Sequence, residues 1–289
     1  MKINPRCAHC LLSRVHYQAL LSTQDPQIVT NAVMAGLDAL HQAFRAGEPS
    51  SKVSTLVHRR SYEALCDPDP YFEKKVQSRE IAVRLMPLVR SLVGDNISVE
   101  GFRSASLAAA IGNSFDFGVD GFDVREDDFE AEFIKLFNKG FDVDDIEIMV
   151  PLLDDVAYLA DNSGEILLDT LVIEQIRGLG GKVTLVVRGA PILNDATMED
   201  VKIHGIGEIV DRVLTTGSNA IGVCLDEAPP ELVEALEDST LIISKGMANY
   251  ETMSEYGYSP IAYMLRTKCQ VVADDMGLDM GLLVASLVV

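Results

Sequence analysis

Four stretches of the chain run from a short apolar segment into groups that could act on an anionic substrate. They are Asp161 and Asn162 in VAYLADNSGE, Asn194 and Asp195 in RGAPILNDAT after Arg188, Gly217 and Ser218 in TTGSN, and Lys245 with Asn249 in KGMANYE. Asp161, Asn162 and Asp195 make a hard-oxygen set suited to Mg²⁺ or Mn²⁺, ions that accept phosphate oxygens as further ligands. Lys245 would neutralise phosphoryl charge, and the Gly217–Ser218 turn could present backbone N–H groups to an anion. Together the parts suit metal-assisted phosphoryl transfer, where positioning and charge stabilisation dominate. Each also has a plainer reading: turn or N-cap residues for the Asp and Asn pairs, a solvated charge for Lys245, a turn glycine for Gly217.

The elements that must position these groups follow from periodicity. In the second half, strand-like apolar runs at 156–159, 183–187, 209–214, 241–243 and 271–273 alternate with helical patterns at 166–177 and 230–236. That alternation predicts βαβ units and a parallel sheet covered by helices, an α/β fold. Ligands of open α/β sheets bind outside the carboxyl ends of the strands, near the switch in strand order, which is where Asp161 and Asn162 fall if 156–160 is central. Ser163 is then left to cap the following helix.

The first half is predicted helical at 28–44, 71–93, 102–116 and 127–137, with a boundary inside 142–155, so that 1–145 is a helical part and 146–289 carries the sheet. Asn113 and Asp116 in GNSFDFG are three apart and share a helix face, from which they could reach the site. The alternative is that they end a helix capped by Gly118.

Composition bounds the function. The chain has 289 residues, 48% of them hydrophobic and 24% charged, a globular profile. A net charge of −20 argues against nonspecific nucleic-acid binding, which needs clustered Lys and Arg, but leaves small anionic substrates open. No run approaches the roughly 20 apolar residues of a membrane span, and the N-terminus lacks a signal-peptide core, so a cytoplasmic protein without membrane partners is expected. Five cysteines, an odd number, predict reduced thiols. Cys7 and Cys10 make a single Cys-x-x-Cys near His9 and His16; a zinc site would need Cys66 or His58 to complete it, and a thioredoxin-like role would need a preceding strand. Cys224 and Cys269 sit in apolar runs and are expected in the core.

The ordered set LADNSGE, RGAPILNDAT, TTGSNAIG and KGMANYE, with AAAIGNSFDFG (108–118) and DPYFEKKV (69–76), resembles the damage-control phosphatase family over nearly the whole chain. The compact prokaryotic branch of that family also begins with Cys-x-x-Cys. The resemblance implies a helical N-terminal part, a Rossmann-like three-layer α/β/α domain with a mainly parallel sheet, and a metal-dependent phosphatase acting on sugar phosphates, nucleotides or damaged phosphometabolites. It places Asp161, Asn162 and Asp195 at the metal positions, with Mg²⁺, Mn²⁺, Co²⁺ and Ni²⁺ all candidates, and Lys245 against the phosphate. Asn249, Asn113 and Asp116 become substrate-side candidates beside Gly217 and Ser218. Water or a direct attack by Asp161 or Asp195 could supply the nucleophile. Two rivals remain. A haloacid-dehalogenase-like phosphatase needs an acid two residues after its first Asp, where Ser163 stands. A non-catalytic nucleotide- or phosphometabolite-binding regulatory module is weakened by the lack of a Gly-rich phosphate loop. Oligomeric state has no signature in the sequence.

Overall fold

The computed structural model describes residues 1–114 and 126–289. Asp116 and Gly118, singled out above, lie outside the described residues. The chain opens with helices α1 (Cys7–Ser22), α2 (Pro26–Ala43), α3 (Ser50–Leu65), α4 (Phe72–Val93), α5 (Val99–Ser114) and α6 (Glu126–Lys139). It continues through β1 (Val143–Asp144), α7 (Ile146–Met149), β2 (Asp155–Leu159), α8 (Glu165–Gly178), β3 (Lys182–Val187), α9 (Met198–Ile203) and β4 (Arg212–Thr215). The last third holds α10 (Pro230–Asp238), β5 (Leu241–Lys245), α11 (Gly246–Met253), β6 (Ile261–Arg266), α12 (Gln270–Met276) and β7 (Leu283–Val288).

The described strands form one sheet in the order β1-β7-β6-β5-β2-β3-β4, parallel throughout except where β7 runs antiparallel to β6. The chain leaves β2 toward β3 and β4, then returns to lay β5 on the opposite side of β2. The switch in direction therefore falls between β2 and β5, which opens a crevice at their carboxyl ends.

Alternation along each strand sorts side chains to two faces. Val156 and Tyr158 of β2, with Leu241 and Ile243 of β5, pack in a core shared with α4, α5, α6 and α8. Ala157 and Leu159, with Ile242 and Tyr263, face a second core built from α10, α11 and α12. A three-layer α/β/α sandwich results, and α4 to α6 belong to one of its outer layers. Helices α1 to α3 form a smaller cluster around Leu11, Val15, Leu40, Val53 and Val57. Local chemistry starts several helices: Asp25 accepts from the Gln27 N–H at 2.8 Å with Pro26 at the first position of α2, and Thr197 and Asp200 form a capping box on α9.

Two expected strands need correction. Residues 271–273 are not a strand but the buried face of α12, stopped by Gly277 at φ +69°; a three-residue apolar run carries too little periodicity to tell the two apart. Strands β1, β6 and β7, and helices α1, α3, α7, α9 and α11, are elements that the periodicity does not announce. The third expected strand begins at Arg212, because 209–211 belong to the turn before it.

Candidate active site

The loop after β2 and the loop after β3 meet by backbone pairing. Asn162 and Asp195 form an isolated antiparallel bridge, the Ser163 N–H donates to the Asn194 carbonyl at 2.9 Å, and the Ala196 N–H donates to the Asp161 carbonyl at 2.7 Å. Asp161, Asn162 and Asp195, thirty-odd residues apart in sequence, are thereby brought to one spot at the rim of the β2–β5 crevice. Leu193, just upstream, adopts the left-handed region at φ +47°, a costly conformation for a leucine, and its N–H donates to the Tyr62 hydroxyl of α3 at 3.0 Å. Helix α3 thus clamps the Asp195 loop from the helical half.

Each side chain is oriented by a neighbour. The Asn113 amide nitrogen, from the end of α5, donates to Asp161 Oδ2 and to Glu165 Oε2, both at 2.8 Å. Asn162 Nδ2 bridges the same two carboxylates at 3.1 and 3.0 Å. Arg188 Nε donates to Asp195 Oδ2 at 2.6 Å and Arg188 Nη1 to the Gly222 carbonyl at 2.9 Å, all buried. Gly246 sits at φ +72°, and a Cβ there would lie 1.9 Å from Asp161 Oδ2, so only glycine fits against this carboxylate. Burial pushes the Asp161 carboxyl well above the usual range, the Asp195 and Glu165 charges push it further, and Lys268 and Arg188 oppose them.

Lys245 does not face the crevice. It is fully buried, its ammonium bonded to Glu165 Oε1 at 2.5 Å and Asp169 Oδ1 at 2.6 Å, and Asp169 in turn accepts from the Tyr158 hydroxyl at 2.7 Å. Burial alone would lower the lysine's pKa, but the two carboxylates carry it above its ordinary value. The lysine of KGMANYE therefore supports the carboxylate cluster from behind. Asn249 Nδ2 donates to the Ala160 and Lys245 carbonyls at 3.0 and 2.9 Å, tying α11 to the end of β2. Ser163 does not cap α8; its hydroxyl donates to Asp200.

Asp161, Asn162 and Asp195 line a cavity of about 530 Å³, open to solvent, between the sheet rim and α1, α3, α11 and α12. Its wall includes Arg6, Arg14, His58, Asn194 and Lys268. Gly217 and Ser218 are not part of it. The Ser218 carbonyl accepts from the Gly189 N–H at 3.0 Å, and its hydroxyl accepts from the Ala220 N–H at 3.1 Å, so this turn braces the β3–α9 loop. Lys268, absent from the sequence-based set, supplies a cavity cation; its Nζ donates to the Asn113 carbonyl at 2.6 Å near the negative end of α5. Glu165 and Asp169 were also missed. Their signal was present as i, i+4 acids on α8, the first of them four residues after Asp161. His58 is neutral: burial lowers its pKa to about 3, helped by Arg14, and its Nδ1 meets Gln18 Oε1 at 2.7 Å.

The donor chemistry fits a hard divalent ion. Two mutually repelling buried carboxylates would be relieved by a cation, and Asn162 turns its amide nitrogen toward Asp161 and Glu165, which leaves its carbonyl oxygen for a ligand role. Among the described residues no group of three or more His, Cys, Asp and Glu is placed to hold a metal ion, so the candidate ligand set is two carboxylates and a carboxamide.

Fold and site together define an α/β protein with a carboxylate–carboxamide centre at the switch point of a mainly parallel sheet. Residues 3–284 match the damage-control phosphatase ARMT1-like domain, and the chain belongs to that family. It is 40% identical over its full length to the full length of a damage-control phosphatase of Archaeoglobus fulgidus. It is 32% identical to a damage-control phosphatase of Pyrococcus horikoshii, covering 98% of this chain and 97% of that one. A crystal structure of a DUF89 family protein from Pyrococcus horikoshii superposes with a TM-score of 0.90 at 29% identity, covering 99% of each chain.

Proposed function

We propose that the chain is a divalent-metal-dependent phosphatase that hydrolyses small phosphorylated metabolites. The observation that carries this reading is the Asn162–Asp195 bridge, which gathers two acids and an amide on the wall of a cavity that also holds Lys268. Family membership supports the phosphatase chemistry. Asp161, Asn162 and Asp195 would hold the ion, Mg²⁺ or a similar hard cation, which supplies charge neutralisation and polarisation of the phosphoryl group.

The chain's own residues do the rest. Lys268 places a positive charge in the cavity where equatorial phosphoryl oxygens would accumulate negative charge, and Arg14 adds a second cation from α1. Asn113, Glu165 and Arg188 fix the carboxylate orientations through the bonds given above, so little reorganisation is needed during reaction. Apolar wall residues Leu11, Leu193, Ile221, Met247 and Val271 exclude water and contact the body of the metabolite.

The test is a panel of phosphomonoesters assayed with Mg²⁺, Mn²⁺, Co²⁺ and Ni²⁺ and with chelator. Phosphate release that needs metal supports the reading. Phosphoester binding without release under every metal would instead favour a regulatory binding module.

A further inference from the structure

The Cys-x-x-Cys that the sequence left without a role forms part of the cavity wall. Cys7 is the first residue of α1 and Cys10 lies one turn on, so the two thiols share a helix face. Both line the cavity that holds Asp161, Asn162 and Asp195. So does Cys269, which precedes α12 and directly follows Lys268. Cys269 is thus a partly buried wall residue rather than a fully buried core one. Cys7 is close enough to Cys10 and Cys269 for each to influence its ionisation.

The two thiols of the pair differ in access. Cys10 is exposed, whereas Cys7 is half-buried where the α1–α3 cluster meets the second sheet core. All five cysteines are free, and Cys66, which might have completed a zinc site, is an exposed residue at the end of α3 outside the cavity wall. A Cys-x-x-Cys spanning the first turn of a helix suits disulfide exchange, because closing the ring requires no movement between elements.

We propose that Cys7 and Cys10 form a thiol–disulfide exchange site in the wall of the catalytic cavity, taking a small soluble disulfide as oxidant. The exposed Cys10 thiolate attacks one sulfur of the small disulfide and expels the first thiolate, leaving a mixed disulfide on Cys10. Cys7 then gives its proton to solvent, attacks Cys10 Sγ and expels the second thiolate. The protein loses two hydrogens, and the small disulfide gains them as two thiols. The new bond tightens the first turn of α1, the helix that brings His9 and, further along, Arg14 to the cavity wall, with Arg6 at its N-cap. The exchange itself is independent of the phosphatase reading; only its effect on turnover rests on that reading.

The full-length protein is equilibrated in glutathione/glutathione-disulfide mixtures, its free thiols are counted, and non-reduced peptides are mapped by mass spectrometry. Two of the five thiols should disappear together as a Cys7–Cys10 link, which Cys10→Ser abolishes and Cys66→Ser leaves intact. Full thiol titration at the most oxidising ratio, a lasting glutathione adduct on Cys10, or a Cys7–Cys269 link each overturns the assignment. On the same samples, kcat/KM for p-nitrophenyl phosphate should fall roughly tenfold on oxidation and recover with dithiothreitol. An unchanged rate in the linked protein overturns the coupling to the cavity. Absence of hydrolysis in both redox states would count against the phosphatase reading and leave the thiol result standing.

Discussion

Asn162 and Asp195 pair through their backbones, and the pairing sets Asp161 and Asp195 near enough that the second carboxylate raises the pKa of the first, on top of its burial. In Asp161→Asn that repulsion is gone while the amide oxygen can still accept from Asn113 and Asn162. Turnover should fall at least about a hundredfold, yet the unfolding free energy read by urea in chelator should rise by on the order of 1 kcal/mol. Asp195→Asn should lose activity too but become less stable, by about 2 kcal/mol, because the buried Arg188 guanidinium loses its charged acceptor. Equal stability changes in the two variants, read by urea unfolding, would remove repulsion as the explanation.

Gly246→Ala tests the close approach behind Asp161. The residue needs a positive φ, and the added methyl would overlap both Oδ2 and Cγ of Asp161. Strain and displacement together should destabilise the protein by about 2–3 kcal/mol and reduce metal-supported phosphate release by more than the fold is weakened. Near wild-type kcat/KM in the folded variant would show that the carboxylate does not need its present position.

The layout of this site was legible in the sequence where function depends on strand ends. Asp161 and Asn162 follow β2, the central strand that the apolar run announced, and the Asn194–Asp195 pair follows β3. What brings them together, however, is a long-range bridge and a left-handed Leu193 held by Tyr62, neither of which has a local signature. Lys245 misled for a related reason. It ends β5, but a strand-end lysine has two ways to point, outward or back beneath the rim, and only the i, i+4 acids Glu165 and Asp169 decide that it points back. Strand β7 pairs antiparallel with β6, the strand before it, and parallel with the two-residue β1, which lies far away in the chain and has no local signature.

His58 gives the helical half a pH signature. Its folded pKa of about 3 lies below the ordinary 6.5 because of burial and, secondarily, Arg14. Between these values the unfolded chain binds the extra proton, so stability is fully present above pH 6.5 and declines as pH falls toward 3. Lowering the pH from 7 to 5 should cost about 2 kcal/mol through this group. In His58→Gln the urea midpoint should vary less steeply across that range; a slope equal to wild type would assign the acid sensitivity to other groups.

Lys245 and Lys268 should separate cleanly, since one stabilises the carboxylate cluster and the other faces the cavity. Lys245→Met leaves Glu165 and Asp169 buried without their cation, so it should lower stability by about 3–5 kcal/mol. Lys268→Met removes a partly exposed group whose bond to the Asn113 carbonyl is one local tie, and the protein should remain folded with a smaller loss. Its effect should appear in kinetics, as a higher KM for phosphoesters and a weaker inhibition by inorganic phosphate, because a cavity charge near the phosphoryl group has been lost. Lys268→Arg restores the charge with a different shape and should recover part of the phosphate inhibition. If Lys245→Met instead folds normally and weakens phosphate binding as much as Lys268→Met does, then the ammonium of Lys245 reaches the substrate and the division of roles fails.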